Sequence, residues 1–417
     1  MTTVIDIDAH FQEPFDWLEK SAPKVAAKLP GFDMAAYFAD IVAGEFIAQI
    51  PDNVRPNTLD VLPDVFRDFV SRLPTGLAKG SEVEACLDGM SAEDGGPIWM
   101  AFRRRGAWKA ADRIPLMDEQ GIDIQFLNPS IALGWAQVAR KQLKNPDLER
   151  EVLTAYNNWA MDSVEGYRDR LFPITHLTLD KLDWTLSEMK RLRARGCRAF
   201  QIPAQPVAGL SLGHPSFDSV WALAQELGMA VVFHVAHAGP TVLAEGWGNT
   251  GGNLLASMMT YRSQQEQVPT IALSAMIFAG VFERYPKLIV MSQELGVDWL
   301  PYWLTKIDAI CEANVFSRMS PYRYSLKPSE FAQRNLFVSG LATPLQALQP
   351  TFDMVKPGIL AFASDFPHPE GGPLNSARLT YEKWLEKYPA SVKDEFFGER
   401  VAREMSLRRP EAAAVRH

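Results

Sequence analysis

From residue 112 onward the chain repeats one rhythm. A short apolar run is followed by a longer stretch whose apolar residues recur three and four positions apart. The short runs cover residues 123–128, 171–177, 197–202, 229–234, 287–292, 335–340 and 359–365. They are near-continuously apolar, the signature of parallel strands buried on both faces. The longer stretches predict helices over 111–119, 147–167, 179–195, 216–227, 269–285, 344–354 and 379–387. Gly121, Gly196 and Gly228 stand where helices should stop, since glycine takes the left-handed cap conformation without strain. One more strand opens the chain at residues 4–10, where apolar and polar residues alternate. Eight strands, seven of them in strand–helix alternation, predict an α/β fold: a closed (β/α)8 TIM barrel.

Between the first strand and residue 111 the rhythm is missing. Residues 11–110 contain no convincing strand, only short helical patterns at 15–28 and 61–73, broken by Pro23, Pro30, Pro51, Pro56, Pro63 and Pro74. A structureless connection of that length does not fit a compact domain, so the segment reads as a helical cap inserted after strand one. The expected organisation is a barrel from 1–10 and 111–400, a cap from 11–110, and a C-terminal helix end and tail from 401–417 that frays after 411.

Composition narrows the functional class. At 417 residues the chain exceeds an ordinary single core, a size that a closed barrel accommodates. A net charge of −8 disfavours nucleic acid and anionic membranes as partners. Cys86, Cys197 and Cys311 are widely spaced and form no CxxC pair, which predicts reduced, mostly buried thiols and a cytoplasmic protein. Met1 runs directly into the first strand, so no signal peptide is expected. No apolar run is long enough to span a bilayer.

Barrel enzymes place their chemistry at the C-terminal ends of the strands. Read at those ends, the sequence offers Asp8 and His10 on strand one, His234 on strand five, Gln293 and Glu294 on strand six, and Asp365 on strand eight. His237 and His368 follow just beyond strands five and eight. Strand alternation puts Asp6, Asp8 and His10 on one face, with the Cα atoms of Asp8 and His10 about 7 Å apart. That pair suits a divalent cation or, equally, an acidic strand end facing solvent. Asp365 can orient water or accept its proton, and Glu294 can serve as a second proton carrier or as a ligand. His176, on strand three, is either hydrogen-bonded core or a substrate contact. His237 is a loop residue or a substrate contact, and His368 positions Asp365 or touches substrate. His214, before Pro215, reads as a surface turn. Trp247, Asn249 and Asn253, in the glycine-rich stretch after strand five, are candidates for the pocket mouth.

Ordered motifs spread over nearly the whole chain carry a family resemblance. They are Asp6-Ile7-Asp8-Ala9-His10-Phe11-Gln12-Glu13-Pro14, Met117 to Asp123, Arg170-Leu171-Phe172-Pro173, Phe233-His234-Val235, and Ser364 to Gly371. Together they resemble the amidohydrolase superfamily, in its amidohydrolase-related branch, which includes 2-amino-3-carboxymuconate-6-semialdehyde decarboxylase. The resemblance implies one divalent metal ion held by Asp8, His10, His234 and Asp365, with Zn²⁺ expected first and Mn²⁺ or Fe²⁺ open. Two positions depart from the pattern. Aspartate stands at Asp8, where the family often has histidine, which hardens the donor set. Glu294 stands after strand six, where family decarboxylases often carry histidine.

The reading is therefore a metal-dependent enzyme, a lyase or hydrolase, acting on a small carboxylic acid. Non-oxidative decarboxylation is the reaction that the resemblance favours. Metal-activated hydrolysis or hydration of a C–O, C–N or C=C bond is the alternative, and a non-catalytic binding barrel the remote one. Asp365, Glu294 and His237 are the catalytic candidates; His176, Trp247, Asn253 and His368 are the substrate-binding ones. A small-molecule substrate is the expected partner, and the resemblance adds a homodimer.

Overall fold

Eight apolar strands pair in chain order and in parallel into one sheet. They are β1 (Ile5–His10), β2 (Ile124–Asn128), β3 (Leu171–His176), β4 (Ala199–Gln201), β5 (Ala230–His234), β6 (Val290–Gln293), β7 (Leu336–Ser339) and β8 (Leu360–Ala361). The computed structural model describes residues 3–43, 62, 64–91, 96, 99, 102–235, 256, 259–260, 263–264, 266–312, 322–339, 345–368, 381–383 and 385–410. Backbone hydrogen bonds join the first strand to the last segment, Ile7 N–H to Phe362 O (3.0 Å) and Asp365 N–H to Asp8 O (2.8 Å). The predicted (β/α)8 barrel is the observed fold.

Apolar side chains account for the closure. Ile5, Ile7, Ile124, Phe126, Phe172, Ile174, Val232, Met291 and Phe337 are all buried in one cluster, which Val401, Met405 and Leu407 from the C-terminal segment join. A second, larger cluster binds the strands to the surrounding helices through Leu171, Phe200, Trp221, Phe233 and Leu273. A third gathers Phe15, Trp17, Phe69 and Val83 with Trp135 and Tyr156. Through it, the segment after β1 packs onto the helices Ala132–Gln137 and Pro146–Ser163.

Local differences from the sequence reading have physical causes. The segment read as strand-free contains a two-residue antiparallel ladder, Phe32–Asp33 against Leu77–Ala78, too short for alternation to reveal. The helix read over 269–285 is two helices, Gln267–Phe278 and Val281–Arg284. Gly280, at φ 73°, turns the chain between them. The helices Trp299–Glu312 and Pro328–Asn335 were not foreseen. Pro301 and Pro328 look like breaks but sit in the first turn, where no intrahelical N–H is needed. The run 359–365 shortens to Leu360–Ala361 because Asp365 leaves extended backbone at φ 54°. Of the three cysteines, all free, only Cys197 is buried. Among the described residues no helix is long and apolar enough to cross a membrane.

One buried cation ties the helix layer to the mouth of the barrel. Arg113, on the helix Ala110–Gln120, is fully buried. It donates to the carbonyls of Gly106 (2.5 Å) and His10 and to Gln125 Oε1 (3.2 Å), and it stacks 4.4 Å from the Phe366 ring. Gln125 in turn donates to Asp6 (2.8 Å). Replacing Arg113 by Met keeps the length but strands these acceptors. We expect a stability loss of about 2–4 kcal/mol, read as a lower urea midpoint at unchanged slope. A midpoint equal to that of the parent protein would refute it.

Candidate active site

The first strand delivers two side chains to the mouth. A register shift between Asp6 and Ala9 interrupts its alternation, which corrects the expectation that Asp6, Asp8 and His10 act on one face. The Asp6 carboxylate is taken up by Gln125 Nε2, Ser364 Oγ (2.6 Å) and Ser364 N–H (3.0 Å). Burial raises its pKa to about 6 against those hydrogen bonds. Asp8 goes elsewhere. It accepts from Asn128 Nδ2 (2.8 Å) and Ser339 Oγ (3.2 Å), at the ends of β2 and β7.

His10 is fixed by its outer nitrogen. Its Nδ1 lies 3.0 Å from the carbonyl of Pro129; a carbonyl only accepts, so Nδ1 carries the proton and Nε2 presents its lone pair inward. Burial, with His368 and His234 adding repulsion, holds its pKa well below the ordinary value. The ring is therefore neutral. His234, at the end of β5, points its Nε2 to within 3.6 Å of Asp8 Oδ1 and 3.3 Å of Glu294 Oε2. Burial alone would lower its pKa, but the carboxylates of Asp8 and Glu294 together raise it.

Two loop residues complete the cluster from strained backbone. Glu294 and Asp365 follow β6 and β8 at φ 56° and 54°, the left-handed region that non-glycine residues rarely occupy. In that conformation the chain turns, directly after β6 at Glu294 and four residues beyond β8 at Asp365, and each carboxyl joins the cluster at the barrel mouth. Glu294 N–H is anchored on Ser339 Oγ (2.9 Å), the same hydroxyl that meets Asp8. Asp365 Oδ1 lies 3.4 Å from His10 Nε2 and 3.1 Å from His368 Nδ1. The His10 and His368 rings lie 3.9 Å apart. Burial, and then the neighbouring Asp365, push Glu294 up to about 8.

These side chains converge. Ligand atoms of Asp8, His10 and His234 all lie within 4.8 Å of one another, as do those of His10, Glu294, Asp365 and His368. The Nε2 atoms of His10 and His234 are buried and, among the described residues, accept no hydrogen bond. Two buried imidazole nitrogens among carboxylates form a donor set that fits a divalent transition ion. Without a cation both nitrogens are buried and lack a hydrogen-bond partner among the described residues.

Comparison with known proteins places this geometry. The family described as amidohydrolase matches residues 5–399. The chain belongs to the amidohydrolase family. It is accordingly a metal-dependent enzyme, a carboxy-lyase or hydrolase. A search among curated proteins returns no match. Among solved structures, this amidohydrolase is similar to an amidohydrolase from Mycobacterium avium subsp. paratuberculosis K-10, with 22% identity, TM-score 0.67, and 97% of this chain and 99% of that chain covered. It is also similar to 2,6-dihydroxybenzoate decarboxylase from Rhizobium, at 14% identity and TM-score 0.59 over 98% and 99% of the two chains. A third similar structure is 5-carboxyvanillate decarboxylase from Novosphingobium aromaticivorans, complexed with manganese and 4-hydroxy-3-methoxy-5-nitrobenzoic acid. There the identity is 17% and the TM-score 0.61, over 97% and 96% of the chains. At these identities the likeness is one of fold.

In this amidohydrolase the structure brings together Asp8, His10, His234, Glu294, Asp365 and His368. His237, Trp247 and Asn253 fall outside the described residues, as does Asn249. His176 belongs to neither converging group. Its ring meets Tyr156 edge-on at 5.7 Å, and its backbone N–H donates to Asn157 Oδ1 (2.8 Å). His214 caps a short turn by accepting from Ser216 N–H (3.2 Å). Sequence reasoning missed Asn128 and Ser339, which hold the candidate ligands, and gave no role to Gln293, which it had placed at the end of strand six. Asn128 Nδ2 bridges Asp8 and Gln293 Oε1 (2.9 Å), Gln293 donates to the Ile7 carbonyl, and Ser339 bridges Asp8 and Glu294. The signal was available, because Asn128 and Ser339 are polar residues closing apolar runs at strand ends.

Proposed function

We propose that this amidohydrolase decarboxylates a small carboxylic acid without an oxidant, and that the acid is aromatic. The observation that carries the reading is the pair Asp365 and Glu294. These two carboxyl groups reach within 4.8 Å of each other beside the imidazoles of His10 and His368. Such a pair does not readily ionise twice, so it can hold one proton. Decarboxylation needs that proton. The C–C bond to the carboxylate breaks, its electron pair stays on the remaining carbon, CO₂ leaves, and a proton forms the new C–H bond.

The residues divide the work by burial. Asp8, His10, His234 and Asp365, all nearly inaccessible, would hold the metal ion, Zn²⁺ or Mn²⁺. A divalent ion there supplies Lewis acidity toward a substrate oxygen. Glu294 and His368, 18% and 26% exposed, are the members of the cluster open to solvent and would meet the substrate. With Asp365 on the metal, Glu294 is the member of the pair that carries the proton, and His368, within 4.8 Å of it, can relay a new one from solvent after each turnover. The aromatic class rests on the decarboxylases named among the similar structures.

Water activation at the same groups is the second reading, favoured by a carboxyl group, Glu294, beside the candidate ligand His234 at 3.3 Å, where family decarboxylases often carry histidine. Isotopes separate the two. The enzyme should be incubated in D₂O with a panel of hydroxylated benzoic acids. We expect CO₂ release and one deuterium on the carbon that lost its carboxylate, both abolished by a chelator and restored by Zn²⁺ or Mn²⁺. Turnover of esters, amides or lactones with no loss of carbon would overturn decarboxylation in favour of hydrolysis.

A further inference from the structure

The opposite end of the barrel carries a cluster of arginines that the chemistry above does not use. Arg168, Arg193, Arg198, Arg408 and Arg409 line one cavity of about 540 Å³ together with Phe172 and the exposed Asp169. Arg198 directly precedes β4 and Phe172 lies at the start of β3, so the cavity sits at the N-terminal ends of the strands. Arg408 and Arg409 come from the C-terminal segment, whose Met405 and Leu407 join the apolar cluster inside the barrel. Its position is therefore set by the core.

Five guanidinium groups around one cavity are unexpected on a chain of net charge −8. Local carboxylates balance only part of them. Arg168 pairs with Glu165 (2.7 Å) and Arg409 approaches Asp123 (3.5 Å). Arg193 gives its Nε–H to the Leu227 carbonyl (2.7 Å), and that bond leaves its terminal nitrogens available. Arg198 and Arg408 make no ion pair or hydrogen bond among the described residues. The Nε of Arg168 and of Arg409 are buried without a hydrogen-bond partner among those residues. Like charges held together by a packed scaffold repel one another, and Arg198 feels this, its pKa being lowered by burial and then by Arg193. An oxyanion relieves that repulsion and accepts in the forked geometry that guanidinium offers.

We propose that this cavity binds a multiply charged oxyanion, a phosphate-bearing or polycarboxylate small molecule, at a site separate from the catalytic mouth. Phe172 supplies an apolar wall for the body of the ligand, and the volume exceeds what a single inorganic ion fills. Because the cavity joins β3, the approach to β4 and the C-terminal segment, an occupant would brace the base of the barrel.

The test uses the full-length enzyme with its metal. Pyrophosphate and citrate serve as probes of the two sources of charge, with sodium chloride at matched ionic strength as control. Calorimetry should show saturable binding of at least one probe, and thermal unfolding should move upward with it. The probe bound more tightly identifies phosphate or carboxylate as the preferred chemistry. The double variant Arg198→Gln/Arg408→Gln removes the two arginines without described partners and should weaken binding by about tenfold or more. Arg323→Gln, outside the cavity, should leave binding unchanged. Binding unaltered in the double variant, an equal response to sodium chloride, or no binding of either probe would overturn the proposal. If the double variant unfolds, Arg408→Lys keeps the charge and loses the fork, and should still weaken binding measurably; unchanged affinity there would also count against the site.

Discussion

Replacing His234 by Ala is expected to remove metal and activity together while the barrel stays folded, and replacing Asp365 by Asn should lower turnover by about 10²–10⁴-fold. Both expectations follow from where these side chains stand. His234 Nε2 is buried, faces Asp8 and Glu294, and accepts no hydrogen bond among the described residues. Its loss therefore removes a candidate donor, while the apolar clusters that close the barrel, of which His234 is not a member, stay intact. Asp365 Oδ1 touches His10 and His368, and Asn keeps its size while removing the carboxylate. Elemental analysis, circular dichroism and turnover should be measured on the same preparations. Wild-type turnover in either variant would refute the assignment. An unfolded His234→Ala would show that the site carries stability, in which case His234→Gln should fold and still lack metal.

Glu294→Gln separates two roles that the fold allows. As a proton carrier, Glu294 should be replaceable without loss of metal, while turnover falls by about 10²–10⁴-fold. As a ligand, it should take metal occupancy down with it. Its contact with His234 at 3.3 Å and its convergence with Asp365 and His368 are consistent with either role. Rate and occupancy both unchanged would leave Glu294 a polar wall of the pocket.

The barrel was legible because its determinants are local. Each strand is an apolar run of a few residues and each helix a periodic face, so a window of ten to twenty residues reveals them. The helix ends at Gly121 and Gly228 were readable for the same reason, and both glycines adopt the left-handed cap, φ 67° and 60°. The candidate ligands were readable because the fold confines chemistry to strand ends, so that the polar residues ending apolar runs became a short set. Asp8, His10, His234, Glu294, Asp365 and His368 were in that set, and they converge.

What only the tertiary structure decided depends on contacts between distant segments. The shift inside β1 that parts Asp6 from Asp8 is a matter of pairing with β2, which no pattern within residues 4–10 encodes. Asn128 and Ser339 lie far from Asp8 in sequence and meet it only because β1 and the ends of β2 and β7 close one mouth. The left-handed backbone of Glu294 and Asp365 is held by the surrounding barrel against its intrinsic preference, so propensity argues against it. Likewise the arginines at 168, 193, 198, 408 and 409 come from three separate stretches of the chain that no local pattern links. The C-terminal segment, anchored through Met405 and Leu407 in the barrel core, is what gathers them around one cavity. Periodicity sets which faces are buried, whereas register and closure set which polar groups face each other, and that second choice is made by the whole barrel at once.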